Sequence, residues 1–327
     1  MKIKISTISY YLPDKVEGVD ALQCDNPDWD VPRILEKTGI HNRYISSPGE
    51  TAVDLAIKAG EKSLEGTFSR EEIDLLILVT QSPDYVLPTS ACILQDRLGL
   101  SKNCMAFDVN LGCSGFVYSL SIAGGLIESD VAHKGLILCA DTYSKYIKKN
   151  DRTCRPIFSD GAASILVERS DTDCIGPFEF GTDGSGYDRL IVRSSGARDA
   201  DQGPNSQRGF LEMRGSDIFL FTMRVVPACI NKLLNRAGLT IENIDLFVFH
   251  QASKFVIDNL IQNMSLDKGK VFVNYDSIGN TVSASIPIAL KDAASKGRLK
   301  EGDTAMLVGF GVGLSWGAAL MRWSVSL

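Results

Sequence analysis

Cys113 has the sequence surroundings of a reactive cysteine. It lies in the loop Asp108-Val-Asn-Leu-Gly-Cys-Ser-Gly-Phe116, which follows an apolar strand-like run and opens a helix with an apolar face. Free backbone N–H groups and the helix dipole at a helix start stabilise a thiolate, so this position predicts a depressed pKa for the thiol. Gly112 and Gly115 allow a sharp turn and the close approach of a substrate. A small core residue at a tight turn is the alternative, and the local sequence favours neither.

A cysteine nucleophile is commonly activated by a histidine, and the sequence contains three histidines. His41 and His133 stand among polar neighbours and are typical of surface loops. His250 ends the apolar run 246–250 and precedes Gln251. Ligands of α/β proteins usually bind at the carboxyl ends of strands, which favours His250 as the partner. A histidine satisfied within the core is the alternative explanation.

An internal repeat divides the chain into two similar halves. The segment 72–82, EIDLLILVTQS, reappears at 243–253 as NIDLFVFHQAS, and each copy leads into an apolar helix. Further along each half, DGAASILVE is matched by WGAALMRWS. Two matching pairs in the same order are better support for a duplication than a single short apolar match. We therefore expect an N-terminal half, 1–175, and a C-terminal half, 176–327.

The repeat brings Asn280 into consideration beside Cys113. Cys113 lies 40 residues after Ile73, and Asn280 lies 36 residues after Ile244, so both occupy the same loop of the repeated unit. Asn280 stands in a glycine turn and could be an ordinary turn or capping residue. Two halves that present Cys113 and Asn280 from equivalent loops, with His250 between them, give a better account of all three.

Alternating apolar runs and amphipathic stretches predict an α/β fold that positions these residues. Strands are predicted at 75–80, 135–140, 163–167, 246–250, 271–274, 305–310 and 318–323. Helices are predicted at 52–64, 89–98, 115–128, 218–237 and 283–296. The stretch 181–207 is rich in Gly, Ser, Asp and Arg, which predicts a surface excursion. The glycine-rich loop 308–317 runs straight into a strand, so it predicts close backbone approach to the site and an oxyanion donor rather than a phosphate loop.

The composition narrows the class of protein. The 327 residues are 44% hydrophobic and carry a formal charge of −6, which gives no reason to expect nucleic acid as a partner. No apolar run reaches the length of a membrane span, and the N-terminus lacks the apolar core of a signal peptide, so we expect a cytoplasmic protein. Eight cysteines show neither a CxxC pair nor metal-ligand spacing, so we expect no metal.

The sequence resembles the β-ketoacyl-acyl-carrier-protein synthase III family of thiolase-like condensing enzymes. The motifs that carry the resemblance are TGI at 38–40, DVNLGCSGF at 108–116, Asp151-Arg152 with FSDGAA at 158–163, HQA at 250–252, GNTVSAS at 279–285 and GFGVGLSWGAALMRW at 309–323. They are separated, in order, and spread over nearly the whole chain. The resemblance implies a five-layered αβαβα thiolase fold built from two similar halves, usually as a homodimer.

The resemblance also implies roles for individual residues. Cys113 would be the acylated nucleophile, and neutral His250 and Asn280 would stabilise the enolate that decarboxylation of a malonyl-type extender produces. The oxyanion hole would be formed by the backbone N–H groups of Cys113 and Val312. Phe310 would be an apolar gate, and Leu87 would reach across the dimer to form the floor of the partner's acyl site. The retained Arg152 and Phe158 are the other implied substrate contacts. The substrates would be thioesters of CoA or acyl carrier protein, with no further cofactor.

The entrance departs from the family pattern. Arg33 stands where an aromatic residue stacks on the CoA adenine, unless Trp29 takes that role through an insertion. Ser253 replaces an asparagine, Phe255 replaces an arginine of the family, and Leu220 replaces a lysine often used there for carrier-protein docking. Arg152 and the nearby Arg155 would then serve the phosphate or acidic groups of the substrate. These departures predict a divergent member with a specialised acyl substrate.

Two other functions remain open from the sequence. One is an acyltransferase or non-decarboxylative condensing enzyme of the same fold, and the intact Cys–His–Asn set argues against it because two neutral donors suit an enolate. The other is a non-catalytic thiolase-fold partner subunit, which we would expect to lack the nucleophile that Cys113 provides.

Overall fold

The computed structural model describes residues 1–66, 69–198 and 209–324. The strands in this part of the chain are β1 (Ile3–Tyr11), β2 (Lys15–Gly18), β3 (Asn42–Ile45), β4 (Leu75–Val79), β5 (Met105–Val109), β6 (Lys134–Asp141), β7 (Gly161–Arg169), β8 (Ile175–Thr182), β9 (Leu190–Val192), β10 (Leu211–Met213), β11 (Leu246–Phe249), β12 (Thr304–Gly311) and β13 (Ser315–Arg322). The helices are α1 (Val19–Asp25), α2 (Val31–Thr38), α3 (Ala52–Leu64), α4 (Ser90–Arg97), α5 (Gly115–Glu128), α6 (Gly215–Ala237), α7 (Lys254–Asn263), α8 (Tyr275–Ile278) and α9 (Ser285–Ser295). None of these helices combines the length and apolar character needed to cross a membrane.

Two mixed sheets organise the chain into layers. The first has the strand order β1-β7-β6-β4-β5, and the second has the order β11-β12-β13-β8. Helices α5 and α9 lie between the sheets, because each packs against strands of both. Helices α3 and α4 cover the outer face of the first sheet, and α6, with α7 beside it, covers that of the second. Strand β4 is buried at every position, as a continuous apolar run covered on both faces should be.

The two sheets repeat the same order of elements. In the first half β4 leads through α4 to β5, then through the Cys113 loop to α5, β6 and β7. In the second half β11 leads through α7 and the Asn280 loop to α9, β12 and β13. Strand pairs β6–β7 and β12–β13 are both antiparallel. The loops that carry Cys113 and Asn280 are therefore equivalent in connectivity, as the repeat predicted.

The strand predicted at 271–274 is wrong. Val271 makes a single parallel bridge with Phe247, and residues 272–274 do not form a strand. Beyond it the backbone bonds to a side chain, because Gln251 Oε1 accepts from the Asn274 N–H at 3.0 Å and Gln251 Nε2 donates to the Phe272 carbonyl at 3.4 Å. The side chain of Gln251 thus takes the place of a neighbouring strand.

Strand β8 was not predicted, because its sequence contains Gly176, Pro177 and Gly181. Such residues are tolerated at a sheet edge, and among the described strands β8 pairs only with β13, at the end of the second sheet. The surface excursion predicted at 181–207 starts within β8 and includes β9, which pairs with β10. The residues 199–207 of that prediction lie outside the described ranges.

Candidate active site

Cys113 lies where α5 meets the second sheet. Gly115 lets the helix begin against β4, since a Cβ atom there would stand 2.4 Å from Val79 Cγ1. A Cβ on Gly311 would lie 2.9 Å from Cys113 Sγ, and one on Gly309 would lie 2.7 Å from the Cys113 carbonyl oxygen. The glycines of β12 therefore permit the close backbone approach that the sequence predicted. Cys113 is 5% exposed.

Burial dominates the acidity of the Cys113 thiol. Burial and then the charge of Asp141 raise its pKa to about 12, while the backbone N–H groups of Cys113 and Val312 act in the opposite direction. The depressed pKa predicted from the helix start is therefore wrong, because desolvation outweighs the helix-terminal field. The same two N–H groups lie at the sulfur, where they could also meet an oxyanion formed on an attached acyl group.

His250 follows β11 directly and lies in the core. It is 2% exposed, and burial lowers its pKa to about 3, so the imidazole is neutral. Its Nδ1 lies 2.7 Å from Ser285 Oγ. The Phe310 ring stands edge-on to the imidazole with the ring centroids 5.6 Å apart. The neutral ring is thus held between a hydroxyl group and an apolar wall.

Asn280 is fixed by its backbone and by its side chain. Its N–H donates to the Ile157 carbonyl at 3.0 Å, and its carbonyl accepts from the Ser159 N–H at 2.8 Å. Its side-chain Oδ1 accepts from the Val282 N–H at 2.9 Å, which leaves Nδ2 3.4 Å from His250 Nε2. The amide therefore turns its donor toward the histidine and the site.

Ser285 is a site residue that sequence reasoning missed. It is the first residue of α9, and its hydroxyl can accept a hydrogen bond from His250 Nδ1–H or donate one to an unprotonated Nδ1. The hydroxyl is therefore compatible with both neutral tautomers of His250. Its place in GNTVSAS was visible, but the sequence gives no indication that this serine faces the strand end that carries His250.

Asp141 is a second missed residue, at the end of β6. It is fully buried and accepts hydrogen bonds from Ser283 Oγ at 2.5 Å, the Ser283 N–H at 3.2 Å and the Gln81 N–H at 2.8 Å. Burial raises its pKa to about 6, and these hydrogen bonds work against that rise. Asp141 thus connects the loop that carries Asn280 to the half that carries Cys113.

A cavity of about 610 Å³ joins these residues to the surface. Cys113, His250 and Asn280 line its buried end, while the exposed Lys37 and Arg152 line its outer part. Its wall is mostly apolar and includes Ile157, Phe158, Leu190, Met213, Phe219 and Phe310. Ser253 also lines the cavity and caps the N-terminus of α7. Within the described ranges, no cluster of His, Cys, Asp or Glu has an arrangement that could hold a metal ion.

The entrance differs from the sequence expectation at two arginines. Arg33 is exposed and does not line the cavity, because Ile34 faces it and Arg33 is rotated by about 100° along the helix. Arg155 is 6% exposed and forms ion pairs with Glu17 and Asp25. The prediction that Arg155 is a cation at the entrance is therefore wrong, because its guanidinium is buried and paired with these two carboxylates.

Trp29 and Leu87, two other residues with predicted substrate contacts, do not line the cavity. Trp29 is 7% exposed, and the Arg152 guanidinium stands 5.8 Å from its ring centroid, so the ring offers little free surface for adenine stacking. Leu87 is 79% exposed beside the exposed Tyr85 and Val86, and it does not line the cavity of its own chain.

Comparisons with known proteins agree in one family. Residues 107–184 match the family model for 3-oxoacyl-[acyl-carrier-protein] synthase III, and residues 234–323 match the model for its C-terminal region. A β-ketoacyl-[acyl-carrier-protein] synthase III of Clostridium perfringens strain SM101 is 39% identical over 292 residues, which cover 88% of this chain and 90% of that protein.

Solved structures give the same result. A crystal structure of a 3-oxoacyl-(acyl-carrier-protein) synthase III superposes with a TM-score of 0.94 at 43% identity, covering 99% of this chain and 100% of the other. The priming β-ketosynthase of the R1128 polyketide biosynthetic pathway superposes with a TM-score of 0.90 at 30% identity, covering 98% and 96%. The layered arrangement described above is thus the thiolase fold.

Proposed function

This chain belongs to the 3-oxoacyl-[acyl-carrier-protein] synthase III family, and we propose that Cys113 carries the acyl group during its reaction. The chain is a condensing enzyme of the acyltransferase class, which joins an acyl thioester to a malonyl-type thioester with loss of carbon dioxide. One observation carries the assignment to these residues: Cys113, His250 and Asn280 meet at the buried end of one cavity.

The first step is acyl transfer to sulfur. Because the Cys113 thiol is neutral at rest, its proton must leave as sulfur attacks the thioester carbonyl, and neutral His250 can accept it at Nε2. The N–H groups of Cys113 and Val312 stabilise the tetrahedral oxyanion. The carbon–sulfur bond to the donor then breaks, and the departing thiolate takes the proton from His250. The products are acyl-Cys113 and a free thiol.

The second step forms the carbon–carbon bond. The malonyl carboxylate leaves as carbon dioxide, and its electron pair forms an enolate whose oxygen accepts hydrogen bonds from Asn280 Nδ2 and His250 Nε2–H. Between the two steps the neutral imidazole exchanges its Nδ1 proton for one on Nε2 through solvent, and the Ser285 hydroxyl then donates a hydrogen bond to the unprotonated Nδ1. The enolate carbon attacks acyl-Cys113, the acyl–sulfur bond breaks, and the Cys113 thiolate takes up one proton from solvent. The apolar Phe310 beside His250 shields this region from water.

The substrates and assembly complete the proposal. The thioester donor and extender are carried by CoA or by an acyl carrier protein, and both reach the site past Lys37 and Arg152. A homodimer would cover the exposed run that includes Leu87 and bring it to the acyl site of the partner subunit. The two thiolase-like halves, 1–175 and 176–327, would each supply one side of the site. A cytoplasmic location stays a prediction.

Mass spectrometry of the intact protein tests the central step. After incubation with acetyl-CoA we expect one acetyl adduct, which Cys113→Ala abolishes and which Cys229→Ala, at a buried cysteine in another part of the core, retains. Release of carbon dioxide from a malonyl-carrier protein separates the alternatives. An acyltransferase or non-decarboxylative enzyme would acylate without release, and a non-catalytic subunit would do neither. A stable adduct on Cys113→Ala would exclude Cys113 as the nucleophile.

A further inference from the structure

Tyr143 lies behind the nucleophile, outside the open cavity. It is 5% exposed and belongs to the same apolar cluster as Cys113 and Phe158. Its ring centroid stands 5.2 Å from that of Phe158. Phe158 and Leu190 line the cavity next to Cys113, whereas Tyr143 does not. Among the described residues the open space therefore ends at Phe158 and Leu190, with the phenol ring behind them.

The Tyr143 ring is anchored at its far end. Its hydroxyl donates a hydrogen bond to Gln81 Oε1 at 2.7 Å. The Gln81 backbone N–H donates to Asp141 Oδ1 at 2.8 Å, so the residue that holds the phenol is itself held by a buried carboxylate. A Cβ on Gly112 would lie 2.6 Å from Gln81 Oε1, which places this amide against the backbone just before Cys113.

We propose that Tyr143, anchored by Gln81, closes the acyl site behind Cys113 and restricts the enzyme to short acyl donors. The inference rests on the proposed function, because it concerns the space open to an acyl group on Cys113. A two-carbon acyl group adds little beyond the sulfur and its carbonyl. A chain of six or more carbons would have to displace the ring, which breaks its bond to Gln81 and drives it against neighbours in a close-packed cluster.

A donor series measures this limit directly. Acetyl-, butyryl-, hexanoyl- and octanoyl-CoA are each incubated with the protein, and the rate of adduct formation on Cys113 is followed by intact mass spectrometry. We expect hexanoyl transfer to be slower than acetyl transfer by at least roughly 10- to 200-fold, the discrimination that one excess methylene causes in a fitted pocket. Tyr143→Leu should bring hexanoyl transfer to within about tenfold of acetyl transfer by removing the ring.

Three further variants separate the ring from its surroundings. Tyr143→Phe should keep the length limit because the ring still fills the space, and Gln81→Ala should relax it partly because the ring loses its anchor. Tyr118→Leu is the matched control, since Tyr118 packs its ring on Phe180 and donates to the Gly181 carbonyl at 3.2 Å without lining the cavity. Its donor profile should equal that of the wild type.

The outcomes distinguish this inference from the function on which it rests. Absence of any adduct with all four donors would overturn both. Adducts that form at equal rates for all four donors would overturn the length limit alone. The rival determinant is Leu87 of a second copy, so a limit that moves in Leu87→Ala and not in Tyr143→Leu would also overturn it. If Tyr143→Leu does not fold, the wild-type series and Gln81→Ala decide the question.

Discussion

The carboxylate of Asp141 and the hydroxyl of Ser283 join the two halves of the molecule beside the candidate active site. The two oxygens are 2.5 Å apart, and both residues are buried. Asp141 ends a strand of the first sheet, whereas Ser283 follows Asn280 by three residues in the second half. The position of the Asn280 amide relative to Cys113 therefore depends in part on a hydrogen bond between the halves.

Ser283→Ala should destabilise the protein and slow condensation. The substitution removes a donor to a buried carboxylate, a bond that contributes about 1.5–3 kcal/mol to the free energy of unfolding. Because the Asn280 loop then keeps only the backbone N–H bond of residue 283 to Asp141, carbon dioxide release should fall more than self-acylation. Urea unfolding and the two partial rates measure these effects.

Ser119→Ala is the matched control for that prediction. Ser119 lies on α5, is fully buried, and its hydroxyl has no hydrogen-bond partner among the described residues. Its removal should leave stability unchanged or slightly higher, because an unsatisfied polar group is lost. Equal effects of Ser283→Ala and Ser119→Ala would contradict a special role for the Asp141–Ser283 bond.

Alkylation of Cys113 should be slow at neutral pH and rise steadily with pH. The folded protein raises the pKa of this thiol to about 12, so the reactive thiolate fraction increases about tenfold per pH unit up to that value. Rates read on the peptide that contains Cys113, with iodoacetamide between pH 7 and 10, should show no plateau. Asp141→Asn removes a negative charge that favours the neutral thiol and should raise the rate. A plateau below pH 8 in the wild type would show that the thiolate is stabilised after all.

Asn280→Ala and His250→Ala should separate the two steps of the reaction. Asn280 donates only to the enolate in the proposed mechanism, so its loss should slow carbon dioxide release roughly 100- to 1000-fold and leave self-acylation near the wild-type rate. His250 also accepts the thiol proton, so His250→Ala should slow both steps. Rapid-quench acylation and carbon dioxide release measure them separately. If both variants lost the same fraction of the acylation rate and of the carbon dioxide release rate, this division of roles would be rejected.

Site residues that lie in loops next to predicted strands could be found from the sequence. Residues whose role depends on contacts between the two halves could not. Cys113 was proposed from its glycine-flanked loop at a helix start, and Asn280 was proposed because the repeat places it in the equivalent loop. The contacts of Asp141 could not be predicted, since a buried carboxylate needs partners from distant segments that no local pattern specifies. The predicted direction of the Cys113 pKa shift was wrong for a related reason. The thiol is buried because β12 packs over it, and the sequence around Cys113 does not reveal that packing. Arg155 was predicted to be a free cation because its ion-pair partners, Glu17 and Asp25, are distant in the sequence.

Leu87→Asp should weaken self-association and lower activity. Leu87 is 79% exposed in the single chain, and apolar side chains in such exposed runs commonly mark an interface. A carboxylate buried in a dimer interface without a partner is costly, so the variant should shift toward monomer in light scattering after size-exclusion chromatography. Lys102→Asp, which changes the charge of another exposed residue, serves as the control. A monomeric wild type with full activity would contradict the proposed homodimer.

Phe255→Arg should make the enzyme a better partner for an acidic carrier protein. Phe255 is 48% exposed at the cavity entrance, its ring centroid 4.9 Å from that of Phe219, and Leu220 nearby is 66% exposed. An entrance with apolar groups at these positions gives little electrostatic steering, so wild-type kcat/KM for a malonyl-carrier protein should be low and should depend weakly on salt. Steering by many charges raises association rates by roughly 10- to 1000-fold, and one added cation should give a small part of that at low salt.

The salt dependence of kcat/KM for the malonyl-carrier protein, measured with one acyl donor, tests this prediction. With acetyl-CoA as donor, kcat/KM for the malonyl-carrier protein is measured between low and physiological ionic strength for the wild type, Phe255→Arg and Phe255→Leu. Phe255→Leu keeps the position apolar and should follow the wild type, whereas Phe255→Arg should start higher and fall more steeply as salt screens its charge. The unusual entrance then explains a preference for a different carrier or donor. A wild-type efficiency that is high at low salt and falls as steeply as that of Phe255→Arg would mean that other cations, such as Lys37 and Arg152, already perform the docking.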